Sequence, residues 1–313
     1  MVSIVIPNYN HFLFLNERIE TILNQTFQDF EIIILDDAST DLSLQTLKKY
    51  KYHPKVKHFV VNSINSRTPY LQWLKGIQLA SGEYVWIAES DDYSDARFLQ
   101  KMLAVFDKFP TAGLVFSKSI LVDSENRKIE GEQWRYDKFG EVACCFDGNY
   151  FATNFLIQNC VILNVSSVVF KRSALENINL NFFSKFKHFG DWILYLQIAS
   201  QAAVAYMPDG VNYFRRTGKA FSQQETCYTH LIEKVEVQNY CFAQWRDKTL
   251  YNQSLDHTYY EAATFFRRNY SNPMTEFPMI TQLLRKDIFV RKRIFVFVYY
   301  ALKRFLSWTG RFR

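Results

Sequence analysis

The residues of this chain best suited to chemistry fall in three short groups: Pro7-Asn8-Tyr9-Asn10, Asp36-Asp37 and Glu89-Ser90-Asp91-Asp92. Each comes directly after an apolar run, at residues 2–6, 31–35 and 84–88. Between them they offer an aromatic ring, an amide pair and five carboxylates. Carboxylates gathered at one place repel: two unit charges ~4 Å apart at an effective dielectric of ~20 cost about 4 kcal/mol. A divalent cation shared with ligand phosphates resolves that repulsion, because hard cations take oxygen ligands of both kinds. The pattern therefore points to metal-assisted chemistry on a phosphorylated ligand. Asp41 and Asp95 carry less weight, since an aspartate after a strand commonly serves as a turn residue or helix cap.

The elements that must position these groups alternate along the first half of the chain. Residues 13–24 show helical spacing, with Leu15, Ile19, Ile22 and Leu23 on one face. A strand is expected at 56–61, and Pro69 can open a helix that ends near Ser81-Gly82. Asp95 can cap a helix ending before Pro110, with a strand after it at 113–117. Strands separated by helices imply parallel pairing through right-handed crossovers. Runs apolar on both faces imply helices covering both sides of the sheet. The expected class is α/β, with a mostly parallel central sheet flanked by helices. Ligands bind at the carboxyl ends of such strands, so the three polar groups meet at one edge. Residues 118–220 are less regular, with strands expected at 121–122, 161–170, 204–207 and 211–214 and a helix at 191–200. From about Thr226 the chain turns mostly helical and rich in Tyr and Phe, which divides it into a 1–220 domain and a 221–313 helical extension.

Three segments then carry a resemblance. VSIVIPNYN (2–10), NQTFQDFEIIILDDAST (24–40) and ASGEYVWIAESDD (80–92) resemble, in order and separation, the inverting family 2 glycosyltransferases of the GT-A fold. The likeness is strong to about residue 115 and traceable to about 225. It implies a nucleotide-diphospho-sugar donor of the UDP type. It also implies a glycan or lipid-linked acceptor in bacterial-type surface polysaccharide synthesis. Carried over by position, it implies that Pro7 and Tyr9 line the base pocket, with Tyr9 against the pyrimidine, and that Asp37 accepts a hydrogen bond from a uracil-type ring. Asp91 would lie near ribose and metal, and Asp92 would ligate Mn2+ or Mg2+ directly. The metal would act as a Lewis acid on the departing diphosphate. In Phe189-Gly190-Asp191-Trp192, Asp191 takes the place of the catalytic base at a helix N-terminus, where the dipole favours its ionised form. Arg215, Arg216 or Lys219 would clamp the diphosphate. Where the family often has His after an aromatic–Arg pair, this chain has Thr217 nearby. The segment NSRTPYLQW (65–73) lacks the usual glycine after its asparagine, which leaves the roles of Asn62 and Arg67 open.

Composition sets outer bounds. The 313 residues are 48% hydrophobic, 22% charged and 17% aromatic, enough apolar material for a folded core. Five cysteines without a C-x-x-C pair argue against a zinc site or disulfide framework and fit a reducing cytoplasm. The start of the chain lacks signal-peptide features, and no window reaches the ~20 apolar residues of a membrane span. The net charge of +6 is concentrated at residues 285–313, where nine Lys and Arg face one acid, Asp287. Residues 294–308 are apolar and aromatic around Lys303-Arg304. That end reads either as a basic interfacial helix holding the protein to the inner face of the plasma membrane or as a helix packing on its own domain or in a homodimer. No nucleic-acid partner is expected. A sugar-nucleotidyltransferase would carry a Gly-rich basic loop after its first strand, where this chain has PNYNHF. A non-catalytic scaffold need not keep Asp91, Asp92 and Asp191.

Overall fold

The computed structural model describes residues 1–131, 134–216, 228–255 and 258. The chain divides into two compact units, Met1–Leu156 with Cys160–Ala220, and Ile157–Asn159 with Phe221–Arg313. The first unit runs β1 (Val2–Asn8), α1 (Phe12–Leu23), β2 (Phe30–Asp36), α2 (Ser43–Lys48), β3 (Val56–Val61), α3 (Pro69–Leu79), β4 (Tyr84–Ile87), β5 (Tyr93–Ser94), α4 (Phe98–Lys108), β6 (Ala112–Val122), β7 (Cys144–Phe146), β8 (Val168–Lys171), α5 (Gly190–Ala199) and β9 (Ala203–Arg215), with short helical turns between. In the second unit, α6 (Tyr228–Trp245) turns its Gln238 amide to the Ser254 carbonyl and the Thr258 hydroxyl.

One sheet carries the first unit, in the order β3-β2-β1-β4-β8-β6-β9-β5, with β7 also on β9. β1 lies parallel to both β2 and β4, and β2 to β3. β8 is inserted antiparallel between β4 and β6, so those two still point the same way although they do not touch. β6 and β9 pair in parallel. The carboxyl ends of β1, β2, β4, β6 and β9 thus share one edge.

β1 and β2 are buried throughout, as two-sided apolar strands must be. Val2, Ile4 and Ile6 pack with Leu15, Ile19 and Ile22 of α1 and with Phe98, Leu99, Met102, Val105 and Phe106 of α4. Val5 faces the other layer, where α3 crosses so closely that a Cβ on Gly76 would sit 2.2 Å from Val5 Cγ1. The strands expected at 113–117 and 121–122 are one strand, β6, and other details also depart from the pattern read in sequence. The strands expected at 204–207 and 211–214 form one strand, β9, whose register against β6 jumps between Ser117 and Ser119 to absorb residues 208–211. The strand expected at 161–170 shortens to β8, because Val165–Ser167 coils into a 3-10 turn whose Ser166 carbonyl accepts from the Trp86 indole.

Candidate active site

The β1 and β2 ends are tied to each other before they can meet a ligand. Asn8 Nδ2 donates to Asp36 Oδ1 (2.9 Å) and to Ser39 Oγ (3.0 Å). Ser39 returns its backbone N–H and hydroxyl to the Asp36 carboxylate. Asn10 takes a left-handed backbone (φ 57°), which its side chain supports by accepting from Thr40 N at 2.7 Å. Asp41 holds two helix starts, accepting from Ser43 N and Phe12 N. Pro7 is buried within β1 opposite Leu35. Tyr9, 43% exposed, stands clear of the strand end with its ring open to solvent.

Asp37 is a hub rather than an open acceptor. Its carboxylate receives Asn62 Nδ2 (2.6 Å), Asn65 Nδ2 (3.0 Å), Ser66 N (3.0 Å), Ser66 Oγ (2.7 Å) and Gln72 Nε2 (2.8 Å). A carboxylate has about four lone-pair sites, so these donors saturate it, and the residue is 4% exposed. Asp37 fixes the loop that forms the wall of the crevice, and the contact expected from it to a uracil-type ring would have to displace one of these donors.

At the β4 end three carboxylates lie above a buried cation. Arg18 of α1 is fully buried, with its guanidinium 4.7 Å over the Trp86 ring. Its charge faces Asp92, Glu89 and Asp91, while burial lowers its pKa to about 10. Glu89 accepts from the Trp73 indole at 2.6 Å, and burial, then the charge of Asp91, pushes it up to about 8. Asp92 is 2% exposed, and burial, then Asp91, pushes its carboxyl up from the ordinary range. Its Oδ2 accepts from Asn164 Nδ2 (2.7 Å) and its Oδ1 from the backbone of Arg215 (3.0 Å). These bonds hold the β4 end to its neighbours and take two of the about four lone-pair sites of the carboxylate, so Asp92 keeps acceptor capacity beside them. Asp91 is different: no protein donor reaches its carboxylate among the described residues, and His11 Nε2 lies 3.9 Å from its Oδ2.

Arg215, expected to clamp a diphosphate, has its guanidinium engaged by groups of the protein itself. It is 1% exposed. Nε donates to the Asp91 carbonyl (2.8 Å), Nη1 to Asn126 Oδ1 (2.6 Å) and the Asp123 carbonyl (3.1 Å), and Nη2 to Glu17 (2.6 Å). Phe14 and Tyr93 cover its plane. A guanidinium so occupied is a brace under the site. Arg216 stacks over Phe214. Thr217 and Lys219 lie outside the described residues.

Asp191 sits in the first turn of α5, behind Gly190, where a Cβ would stand 2.7 Å from the Tyr70 ring. It accepts from Trp192 N (2.8 Å) and lies 3.4 Å from the Tyr70 hydroxyl, which also donates to the His188 carbonyl at 2.8 Å. Burial pushes its carboxyl up to about 6. α3 therefore touches all three acidic places within one turn: Tyr70 meets Asp191, Gln72 meets Asp37 and Trp73 meets Glu89. The Tyr70 and Trp73 rings pack edge to face, 4.8 Å apart.

Residues 3–175 match the family model described as glycosyl transferase family 2. The chain belongs to that family. Among its relatives is the poly(ribitol-phosphate) beta-N-acetylglucosaminyltransferase TarP of Staphylococcus aureus, 29% identical over 191 residues, 59% of this chain and 53% of that protein. This glycosyltransferase thus spans about half the length of that curated relative. Of the solved structures, S. aureus TarS 1-349 in complex with UDP superposes with a TM-score of 0.69 at 18% identity, covering 97% of this chain and 87% of that one. The mannosyltransferase PcManGT of Pyrobaculum calidifontis, in complex with GDP-Man and Mn2+, gives a TM-score of 0.57 at 16% identity, covering 98% and 86%. The fold is the one these enzymes share.

Whether this family 2 glycosyltransferase can hold a divalent ion is decided by its donors. No group of three or more His, Cys, Asp and Glu side chains converges on a common point among the described residues. An ion beside Asp91 would fill most of its shell with phosphate oxygens and water, as Mg2+ does at sites of one or two carboxylates. Asp91 fits that role through its unshared carboxylate, and Arg18 beneath supplies part of the balancing charge. Tyr70, Gln72, Trp73, Asn164, Arg18 and His11 take part in the site but were not singled out from the sequence. For the first three the signal was their placement directly after Pro69, in the first turns of a helix.

Proposed function

We propose that this glycosyltransferase transfers a sugar, with inversion, from a UDP-sugar to a hydroxyl of a glycan or lipid-linked acceptor in surface polysaccharide synthesis. The observation that carries the reading is the bridge through α3, which ties the acidic β4 end to Asp191 by two adjacent aromatic side chains. Donor phosphates at one end and acceptor hydroxyl at the other would then meet over one helix turn. Tyr9 offers a stacking face for the base. Asp91 would hold a Mn2+ or Mg2+ ion, which would supply positive charge to the departing diphosphate. Asp191 would accept the acceptor proton as that oxygen attacks C1 of the sugar from the face opposite the phosphate. The C1–O bond then breaks, and its electron pair leaves on UDP. A carboxyl lifted to about 6 is a stronger base than an ordinary one yet still mostly ionised near neutrality. The UDP complex of TarS supports the donor class, the Mn2+ complex of PcManGT the ion, and the polymer named for TarP the acceptor class.

The basic segment at 285–313 lies outside the described residues, and no described helix is long and apolar enough to cross a membrane. We place the enzyme at an anionic inner membrane face through that segment, with homodimer packing as the competing role. The test of the whole reading is a screen of UDP-sugars for donor hydrolysis and for transfer. Turnover of at least one UDP-sugar that requires Asp191 and stops in chelator is the expected result. Hydrolysis of none, with no UDP-induced rise in melting temperature, would overturn it.

A further inference from the structure

His11 is held beside Asp91 by more than chance packing. Its carbonyl opens α1 by accepting from Phe14 N (3.0 Å) and Leu15 N (3.2 Å). The left-handed Asn10 before it and the Asp41-bound Phe12 N–H after it fix the backbone on both sides. The ring is fixed as well, because Nδ1 lies 2.8 Å from the hydroxyl of fully buried Ser90. Nε2 then lies 3.9 Å from Asp91 Oδ2. The two side chains are 32% and 12% exposed, so the gap between them opens to the crevice.

That spacing is too long for a hydrogen bond. One shared ion would draw the two atoms closer, because ligands ~2.1 Å from an ion stand ~3.0 Å apart at right angles and ~4.2 Å apart only when opposite, a closure of under ~1 Å from the spacing here. Imidazole is a good ligand for first-row transition ions, and a ligating His usually donates its other ring N–H to an oxygen. Ser90 Oγ stands where that second contact is required, and in the tautomer that carries its proton on Nδ1 the Nε2 lone pair is free. We propose that His11 is a metal ligand: Nε2 of His11 and the carboxylate of Asp91 together bind the divalent ion, and the diphosphate of the donor completes its shell. This rests on the metal-dependent reading above and names the second protein ligand. It makes the loop after β1, not only the end of β4, part of the ion site. A nitrogen in the shell also biases the site toward Mn2+ over Mg2+, which prefers an all-oxygen shell.

The test uses the full chain with Mn2+ and UDP. Pulsed electron paramagnetic resonance of the bound ion should show coupling to an imidazole nitrogen in the wild type. The coupling should vanish in His11→Gln, whose amide can still reach Ser90. Free-Mn2+ titration in the presence of UDP should show affinity falling about tenfold or more in that variant, with Mg2+ affinity falling less. If Mn2+ binds with UDP and is lost in Asp91→Asn, yet the wild type shows no nitrogen coupling, the His11 assignment is wrong and the metal-dependent reading stands. Coupling that persists in His11→Gln has the same meaning. If UDP binds equally with and without Mn2+ and no bound-ion signal develops, the metal-dependent reading fails and takes this inference with it.

Discussion

Replacing Asp191 by Asn tests the chemistry most directly, because the two side chains differ by little more than a proton-accepting oxygen. The amide can still take the Trp192 N–H and face the Tyr70 hydroxyl, so α5 keeps its first turn. A general base contributes about 10²–10⁴ in rate, or about 3–5 kcal/mol of barrier, and the loss should fall in that range. The pH dependence gives a second measure. A carboxyl lifted to about 6 is ionised to about 97% at pH ~7.5 and to about 9% at pH ~5, so the wild-type rate should fall about tenfold between them. Stability moves the other way. Because the folded carboxyl binds its proton more tightly than an unfolded one, its contribution to stability is lost as pH rises through its folded value. Asp191→Asn should thus melt no lower than wild type at neutral pH. The assay is UDP release with a saturating acceptor across pH 5–8.5, with the Kd for UDP and Mn2+ measured beside it. Turnover within a few-fold of wild type would remove Asp191 from the proton transfer. So would an acid limb unchanged in the variant. A fall in UDP affinity at constant turnover would move it to the donor site.

Asp91→Asn should abolish ion-dependent UDP binding with little change in melting temperature, whereas Asp92→Asn should cost about 1–3 kcal/mol of stability by disturbing the Asn164 and Arg215 contacts; calorimetry beside Mn2+ titration separates them, and the reverse pattern would restore Asp92 as the ligand. Arg215→Lys should lower stability, measured by denaturant titration, by about 2 kcal/mol or more, since a lysine cannot reach Asp91, Asn126 and Glu17 together; a raised KM for donor without that loss would return Arg215 to the diphosphate. Removing residues after Lys286 should release the protein from anionic vesicles in co-sedimentation at low salt while donor hydrolysis persists. Equal pelleting of both forms would argue against membrane contact, and loss of a dimer would favour the packing role.

The strands and their polar ends were legible because two-sided burial writes itself as unbroken apolar runs and because the carboxyl edge of a parallel sheet gathers the polar residues at each strand's end. The strand-end places of Tyr9 and Asp91 and the helix-start place of Asp191 could be read that way or by likeness. The division of labour among the acids could not. Asp37 and Asp91 each come after a similar strand, yet one is saturated by a loop 25 to 35 residues away in sequence and the other is left open. Arg215 reads as a surface cation next to Arg216 until β9 turns it beneath the β4 end. The antiparallel β8 was hidden for a related reason: its pairing partners are set by the return of the chain, not by its own composition.

The guanidinium of Arg18, sealed under the acids against Trp86, has a consequence for how the enzyme is made. Proteins whose carboxylates or thiolates are balanced only by a bound ion must wait for that ion before they can fold. Here a share of the balancing charge is carried in the chain itself, on Arg18 of α1. Newly made protein would therefore reach its final shape without waiting for the proposed ion. An ion that arrived with the nucleotide, as proposed, could then come and go as a travelling part of the substrate without the fold losing its form.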